Sequence, residues 1–229
     1  MVKFIAAPFG NYLKLHMCTS ITGSWTALYR RGRYVQVIKT VRYDWLHKGW
    51  VNRLGLRNLG IDYALEKHNE KEVLSIAAIN KNDWAILNSK IPRHYNIEIN
   101  LSCPNVAEVG IGNNIRDLLD SQRQWCIAKV SPIGCTNLVD KLVELGFTQI
   151  HASNTLPSSR GGLSGISVKP YSIKIIEYIK RTHSHIEVIG GGGINTVQDI
   201  TDYRNAGADH VSFASVCFTP WRLPSLIAV

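Results

Sequence analysis

Nothing in the 229 residues approaches the roughly 18 consecutive apolar positions that a membrane span requires. The apolar stretch within residues 1–8 is too short for the core of a secretory signal, so a cytoplasmic address is expected. Cysteine is sparse and scattered. The five stand at positions 18, 103, 126, 135 and 217, an odd set with no CxxC pair, which excludes a zinc clip or a disulfide framework and implies free thiols. The eight histidines form no HExxH pair or other ligand cluster, so no metal is expected. No repeat, low-complexity tract or proline-rich linker divides the chain. Charged residues reach 19% against 45% apolar, a balance that excludes wholesale disorder. With a mean hydropathy of −0.05, the chain reads as a soluble globular protein.

The charge that is present is lopsided. Lys and Arg outnumber Asp and Glu by 26 to 17, a net charge of +9, and the pI is near 9.4. Such an excess suits anionic small ligands, anionic lipid or nucleic acid. The basic residues are spread along the chain instead of forming one block, which argues against nucleic acid. Their nearest approach to a cluster, Tyr29-Arg-Arg-Gly-Arg33, reads as a solvated turn.

Short β-branched runs alternate with helical periodicities, the signal of βα units around a parallel sheet. Strands are expected at residues 17–21, 34–39, 73–79, 95–100, 125–130, 149–152, 187–189 and 210–213, several without the alternation of a half-wet sheet. Residues 137–145 and 170–182 carry apolar side chains at helical spacing, and the first of these ends at Gly146. The pattern predicts one α/β domain over residues 1–229, a single (β/α)8 TIM barrel, with an open doubly wound sheet as the alternative. The link from residue 21 to 34 is short and rich in Gly and Arg, so the first βα connection is expected to be shortened, its helix missing or replaced.

In a barrel, chemistry sits just beyond the carboxyl ends of the strands. Lys39 would close the second expected strand, Asn100 with Cys103 and Asn105 the fourth, Lys129 the fifth, Asn154 the sixth and the glycines at 190–193 the seventh. Two lysines, three amides and a thiol suit a flat, anionic, amide-rich ligand. Each lysine ends an apolar strand, where an unpaired ammonium is costly unless an anion meets it or the stem snorkels to water. Gly190–Gly193 reads either as a phosphate cradle against the start of the next helix, completed by Ala214 and Ser215, or as a flexible turn. It is not a dinucleotide fingerprint, because Asn195 stands where the last glycine belongs. Cys103 lies on a loop stiffened by Pro104 and flanked by amides, placed as a nucleophile or a proton-transfer group. The other cysteines read as small hydrophobes, and His151 and His210 as structural.

Together these strings resemble the dihydroorotate dehydrogenase family, FMN-dependent barrels of pyrimidine (UMP) biosynthesis. The resemblance runs through Asn52-Arg-Leu-Gly55-Leu56-Arg-Asn58-Leu-Gly60-Ile-Asp62-Tyr63, Asn100-Leu-Ser-Cys-Pro-Asn105, Lys129-Val-Ser-Pro132, Ser153-Asn154-Thr155, Gly161-Gly-Leu-Ser-Gly165 and Ile189-Gly-Gly-Gly-Gly-Ile194, in the family's order over nearly the whole chain. It implies oxidation of dihydroorotate to orotate, with Cys103 as the base that takes the C5 proton while hydride from C6 passes to FMN. It implies Lys39, Asn52, Asn100, Asn105, Asn154 and Thr155 around the substrate, with backbone at Gly55 and Leu56. An amide offers donor and acceptor together, as an imide edge requires. Thr22, Gly23, Lys39, Asn100 and Lys129 would border the flavin. Gly165, Gly192, Gly193, Ala214 and Ser215 would hold its ribityl phosphate.

The chain is shorter than typical members, with trimmed lid segments after Asn105 and Thr155. No N-terminal amphipathic module of the kind through which the membrane class meets quinones is expected. A soluble, cysteine-type member with no membrane partner is therefore implied. It would be reoxidised by fumarate, an NAD-linked electron-transfer partner subunit or another acceptor, and would pair as a homodimer or with that subunit. Two alternatives stand beside this reading. A tRNA dihydrouridine synthase is also an FMN barrel with an Asn-x-x-Cys-Pro string, and the basic charge suits RNA. However, Ser102 stands where that family has glycine, and the Gly161–Gly165 string is foreign to it. The other is a non-catalytic flavin- or phosphate-binding barrel.

Overall fold

The computed structural model describes residues 1–101 and 113–229. The strands among them are β1 (Lys3–Ile5), β2 (Thr19–Trp25), β3 (Arg42–Asp44), β4 (Gly49–Asn52), β5 (Val73–Ile76), β6 (Ile97–Asn100), β7 (Cys126–Lys129), β8 (Gln149–Ala152), β9 (Leu156–Ser158), β10 (Gly161–Gly165), β11 (Glu187–Gly191) and β12 (His210–Phe213). Eight of them, β1, β2, β5, β6, β7, β8, β11 and β12, run parallel and close into a barrel in which β12 returns to β1. This is the expected TIM barrel.

Because both strand faces are covered, runs such as Val73-Leu-Ser-Ile76 are buried at every position. Leu74, Ile76, Ile97, Ile99, Ala128, Ile150, Val188 and Val211 join the core shared with the outer helices. There they meet Trp84 and Leu87 of helix Asp83–Lys90, Val139 and Leu142 of helix Thr136–Glu144, and Ile175, Ile176 and Ile179 of helix Lys169–Thr182. Each Val, Leu or Ile side chain among them, fully buried, contributes about 1.5–3 kcal/mol relative to exposure. On the other strand faces, Phe4, Ile21, Val73, Trp125, Ile127 and Ile189 form a separate apolar plug near the strand starts. One register step nearer the strand ends, the barrel interior turns polar, with Ser75, Glu98, Lys129 and His151 all buried.

Two expectations need correction. Residues 34–39 are not a strand but most of helix Arg33–Thr40. Its Tyr, Val and Ile content imitates a strand, and apolar residues at 34, 35, 37 and 38 fit a helical stripe equally well. The true first barrel strand is β1, whose three residues are too few to show a period. The connection that lacks a barrel helix accordingly lies between β1 and β2, where only the 3-10 turn Phe9–Asn11 occurs. The stretch from β2 to β5 is long instead and holds two helices, Arg33–Thr40 and Gly60–Lys67, with a hairpin between them.

That hairpin, β3–β4, pairs with the β9–β10 hairpin in a four-stranded antiparallel sheet of order β3-β4-β10-β9, with Asn52 opposite Gly162. Val51, Leu156, Leu163 and Val168 form its own small apolar cluster. The segment after Thr155 is therefore a tight hairpin that fastens the β4 rim. Among the described residues, no helix is long and apolar enough to cross a membrane.

Candidate active site

A cleft of about 290 Å³ opens at the carboxyl ends of β1, β2, β6 and β7, closed on one side by the loop after β4 and on another by the residues after β8. That volume lies near the lower end of the roughly 300–1,000 Å³ usual for small-molecule sites, enough for one planar ring. Of the residues expected from the sequence, Gly23, Asn52, Gly55, Leu56, Asn100, Lys129, Asn154 and Thr155 all line it. Cys103 and Asn105 lie outside the described residues.

The rim loop is pinned by a residue not singled out for this role. Asn58 is 3% exposed; its Oδ1 accepts from Gly60 N at 2.8 Å and from Thr26 N at 3.2 Å, and its Nδ2 donates to Leu56 O at 2.7 Å. One amide thus ties the loop to the end of β2 while Gly55 and Leu56 turn in left-handed backbone, φ +62° and +53°.

The cleft amides continue inward as a hydrogen-bonded chain. Asn154 Nδ2 donates to Asn100 Oδ1 at 3.3 Å, and Asn100 Nδ2 donates to Ser24 Oγ at 3.0 Å. Ser24 and Ser75 hydroxyls lie 2.8 Å apart, and Ser75 donates to Glu98 Oε1 at 2.8 Å. Glu98 in turn meets His151 Nδ1 at 2.6 Å and Lys129 Nζ at 3.5 Å. Burial works to raise the Glu98 carboxyl, but Lys129, His151 and Ser75 outweigh it and hold the group down to about 2. Burial and the neighbouring Lys129 push the His151 imidazole below its ordinary value, against Glu98. Glu98 escaped the sequence reading, yet a signal was present: a carboxylate flanked by Ile97 and Ile99 in a strand buried on both sides is as anomalous as Lys129.

The lining is cationic. Lys129, Arg33 and Arg57 border the cleft, and no Asp or Glu stands among its described lining residues. Arg33, read from the sequence as part of a solvated turn, is drawn to the rim at the start of its helix. Lys39 is the reverse case. It sits in the last turn of helix Arg33–Thr40, exposed, and does not line the cleft. The second barrel strand ends instead in Gly23, Ser24 and Trp25. A Cβ on Gly23, at φ +112°, would stand 2.4 Å from Ser75 O, so the backbone leaves no room for a lysine there. Thr22 is buried, accepts from Trp25 Nε1 at 3.3 Å and borders the neighbouring pocket.

The expected phosphate end forms a separate group. Gly193, at φ +77°, packs against β10, and a Cβ on it would stand 2.8 Å from Gly165 O and 2.6 Å from Ile166 Cα. Behind it, the Tyr203 hydroxyl is shared between Gly191 O at 2.6 Å and Gly192 O at 2.7 Å. The following helix, Val197–Asn205, is not the anion-attracting end anticipated. Its own Asp199 closes a capping box with Thr196, takes the N–H of Asn195 at 2.9 Å and pairs with Lys169 at 2.5 Å. Ala214 and Ser215 instead open the 3-10 turn Ser215–Phe218 directly after β12. None of these five residues lines the cleft itself.

Comparisons with known proteins bear on the fold and on family likeness. The family model for dihydroorotate dehydrogenase matches residues 114–223. A curated relative from Halalkalibacterium halodurans, named dihydroorotate dehydrogenase B (NAD(+)), catalytic subunit, is 29% identical, covering 82% of this chain and 73% of the relative. The protein of the same name from Malacoplasma penetrans is 26% identical, covering 74% and 67%. Among solved structures, ligand-free DHODH from Eimeria tenella superposes with a TM-score of 0.75 at 21% identity over 99% of this chain and 82% of that one. That last likeness speaks to the fold. The family match over residues 114–223 and the relatives along most of the chain lead to one conclusion: the chain is similar to proteins of the dihydroorotate dehydrogenase family.

Proposed function

We propose that this chain oxidises dihydroorotate to orotate in pyrimidine biosynthesis, with FMN as its cofactor, and that residues 1–229 work as one FMN-binding barrel in the cytoplasm. The observation that carries the reading is the cleft itself, where Asn52, Asn100, Asn154 and Thr155 converge with three cations and, among the described residues, no carboxylate. Side-chain amides match both polarities of an imide edge, and the cations match a substrate carboxylate. The names of the relatives support the same reaction.

The residues present fit a flavin. Lys129 and Asn100 offer donors at the cleft, while Gly165, Gly192, Gly193, Ala214 and Ser215 offer bare backbone suited to a phosphate. When bound, FMN supplies the two-electron acceptor for the hydride leaving C6. The chain's own work is orientation and proton transfer. Asn52, Asn100, Asn105 and Asn154 hold the pyrimidine flat, with Thr155 and the Gly55–Leu56 backbone at its edge. Cys103 takes the C5 proton, so that loss of H⁺ from C5 and hydride from C6 leaves the C5=C6 double bond of orotate. Cations lower the pKa of a thiol that faces them, which favours a thiolate base. Lys39 is not carried into this assignment. The names of the relatives as catalytic subunits support an electron-transfer partner subunit as the route of reoxidation.

The test is anaerobic stopped-flow reduction. The purified protein should be yellow and bleach with dihydroorotate, and Cys103→Ala should keep its flavin but lose turnover. A yellow protein that never bleaches would favour the non-catalytic flavin-binding barrel.

A further inference from the structure

Helix Arg33–Thr40 is amphipathic in the reverse sense for a protein surface. Tyr34, Val35, Val37 and Ile38 share one side and are 78%, 53%, 39% and 73% exposed. Arg33, Gln36 and Thr40, on the other side, are half-buried. The polar side has local reasons to face inward. Thr40 Oγ1 accepts from Arg53 N at 3.0 Å, and the Arg33 guanidinium lies 5.6 Å from the Tyr12 ring centre. Among the described helices of eight residues or more, this one alone has no buried residue. The same stretch of chain also exposes Leu28, Tyr29, Trp45 and Leu46. Apolar exposure this concentrated marks a contact surface.

Its charge narrows the partner. Residues 28–48 carry Arg30, Arg31, Arg33, Lys39, Arg42 and Lys48 against Asp44 alone. The Asp44 carboxylate is already engaged by the N–H groups of Leu46 and His47 at 3.0 and 3.1 Å. A second copy meeting this face through a twofold axis would set these cations against their own equivalents. A bilayer meets an exposed apolar helix face of this kind without a preformed groove.

We propose that this helix and its flanks dock on the surface of an anionic lipid bilayer. The Tyr34–Ile38 face enters the boundary between headgroups and acyl chains, and the basic residues meet lipid phosphates. Tyr and Trp, apolar in body and polar at the tip, suit that boundary. A peripheral contact of this kind requires no spanning helix, and the inference does not depend on the reaction proposed above.

Co-sedimentation of the full chain with phosphatidylcholine vesicles, with and without phosphatidylglycerol, tests it. Binding is expected to the anionic vesicles, to weaken with added salt, and to be absent from the neutral ones. The double variant Tyr34→Ser/Ile38→Ser should abolish it without changing the melting temperature, since both side chains are exposed. Arg31→Ser/Lys48→Asn should weaken it about fivefold per charge removed. No binding to anionic vesicles at low ionic strength, or binding equal in wild type and both variants, would overturn the proposal. So would a solution dimer, seen by light scattering, that Ile38→Ser dissociates, because it would assign the face to a second copy.

Discussion

Nδ1 of His151 stands 2.6 Å from Oε2 of Glu98 inside the barrel, with 1% and 0% of the two side chains exposed. Since Lys129, His151 and Ser75 keep Glu98 ionised, the carboxylate can only accept. The imidazole proton must therefore reside on Nδ1. Nε2 is left as a buried acceptor with no partner among the described residues. The ammonium of Lys129, at the floor of the cleft, balances the carboxylate. The barrel thus balances one cation at its mouth by burying a second charge beneath it.

Removing that second charge leaves Lys129 uncompensated. Glu98→Gln is expected to cost about 3–5 kcal/mol of stability, as for one partner deleted from a buried ion pair. Urea titration measures this. A loss under about 1 kcal/mol would mean that the network contributes little to folding.

Acid should act on the same two groups in sequence. A histidine whose folded pKa is lowered binds protons more readily when unfolded, so His151 stability is intact above about 6.5 and declines below it. Glu98, depressed to about 2 against an ordinary value of 4.5, contributes stability above 4.5 that is lost as pH falls towards 2. Denaturation midpoints across this range should show two successive declines, with His151→Asn removing the first and Glu98→Gln the second. A single decline in the wild type, unmoved by either variant, contradicts the assignment.

Asn154 donates to Asn100 at 3.3 Å on the cleft wall. Asn154→Ala is expected to weaken orotate binding about tenfold, roughly 1.4 kcal/mol, through the lost hydrogen bond and the freed Asn100 amide. Titration of the flavin absorbance with orotate reads the shift. Unchanged affinity would remove Asn154 from the substrate wall.

Gly193 and Gly134 separate backbone strain from steric room. Both have positive φ, +77° and +63°, but an added Cβ meets Ile166 Cα at 2.6 Å in the first case and nothing within 4 Å in the second. Gly134→Ala should cost about 1–2 kcal/mol. Gly193→Ala should cost more and shed flavin faster on dilution, because the β11 and β10 ends must separate. Equal losses in the two variants would show that the packing at Gly193 has no role.

Much of the site was legible because its chemistry is local. An amide at the end of an apolar strand, such as Asn100, or a lysine in Cys126–Lys129, contradicts its surroundings wherever the strand ends up. Glu98 announces itself in the same way, although its partners on β7 and β8 do not. Residues 34–39 misled because β-branched composition and helical spacing coincide over so short a run, and the error carried Lys39 into the site in place of Arg33 and Arg57.

By itself, the order of residues determined the βα alternation, strands such as Gln149–Ala152 and His210–Phe213, and which amides and cations are candidates for chemistry, because periodicity and burial cost are properties of neighbours along the chain. Tertiary structure alone decided that Lys3–Ile5 closes the barrel, that the Asp199 carboxylate rather than a ligand caps helix Val197–Asn205, and that the apolar side of helix Arg33–Thr40 faces outward. Each of those outcomes depends on contacts between segments far apart in sequence, whose energies no local window contains.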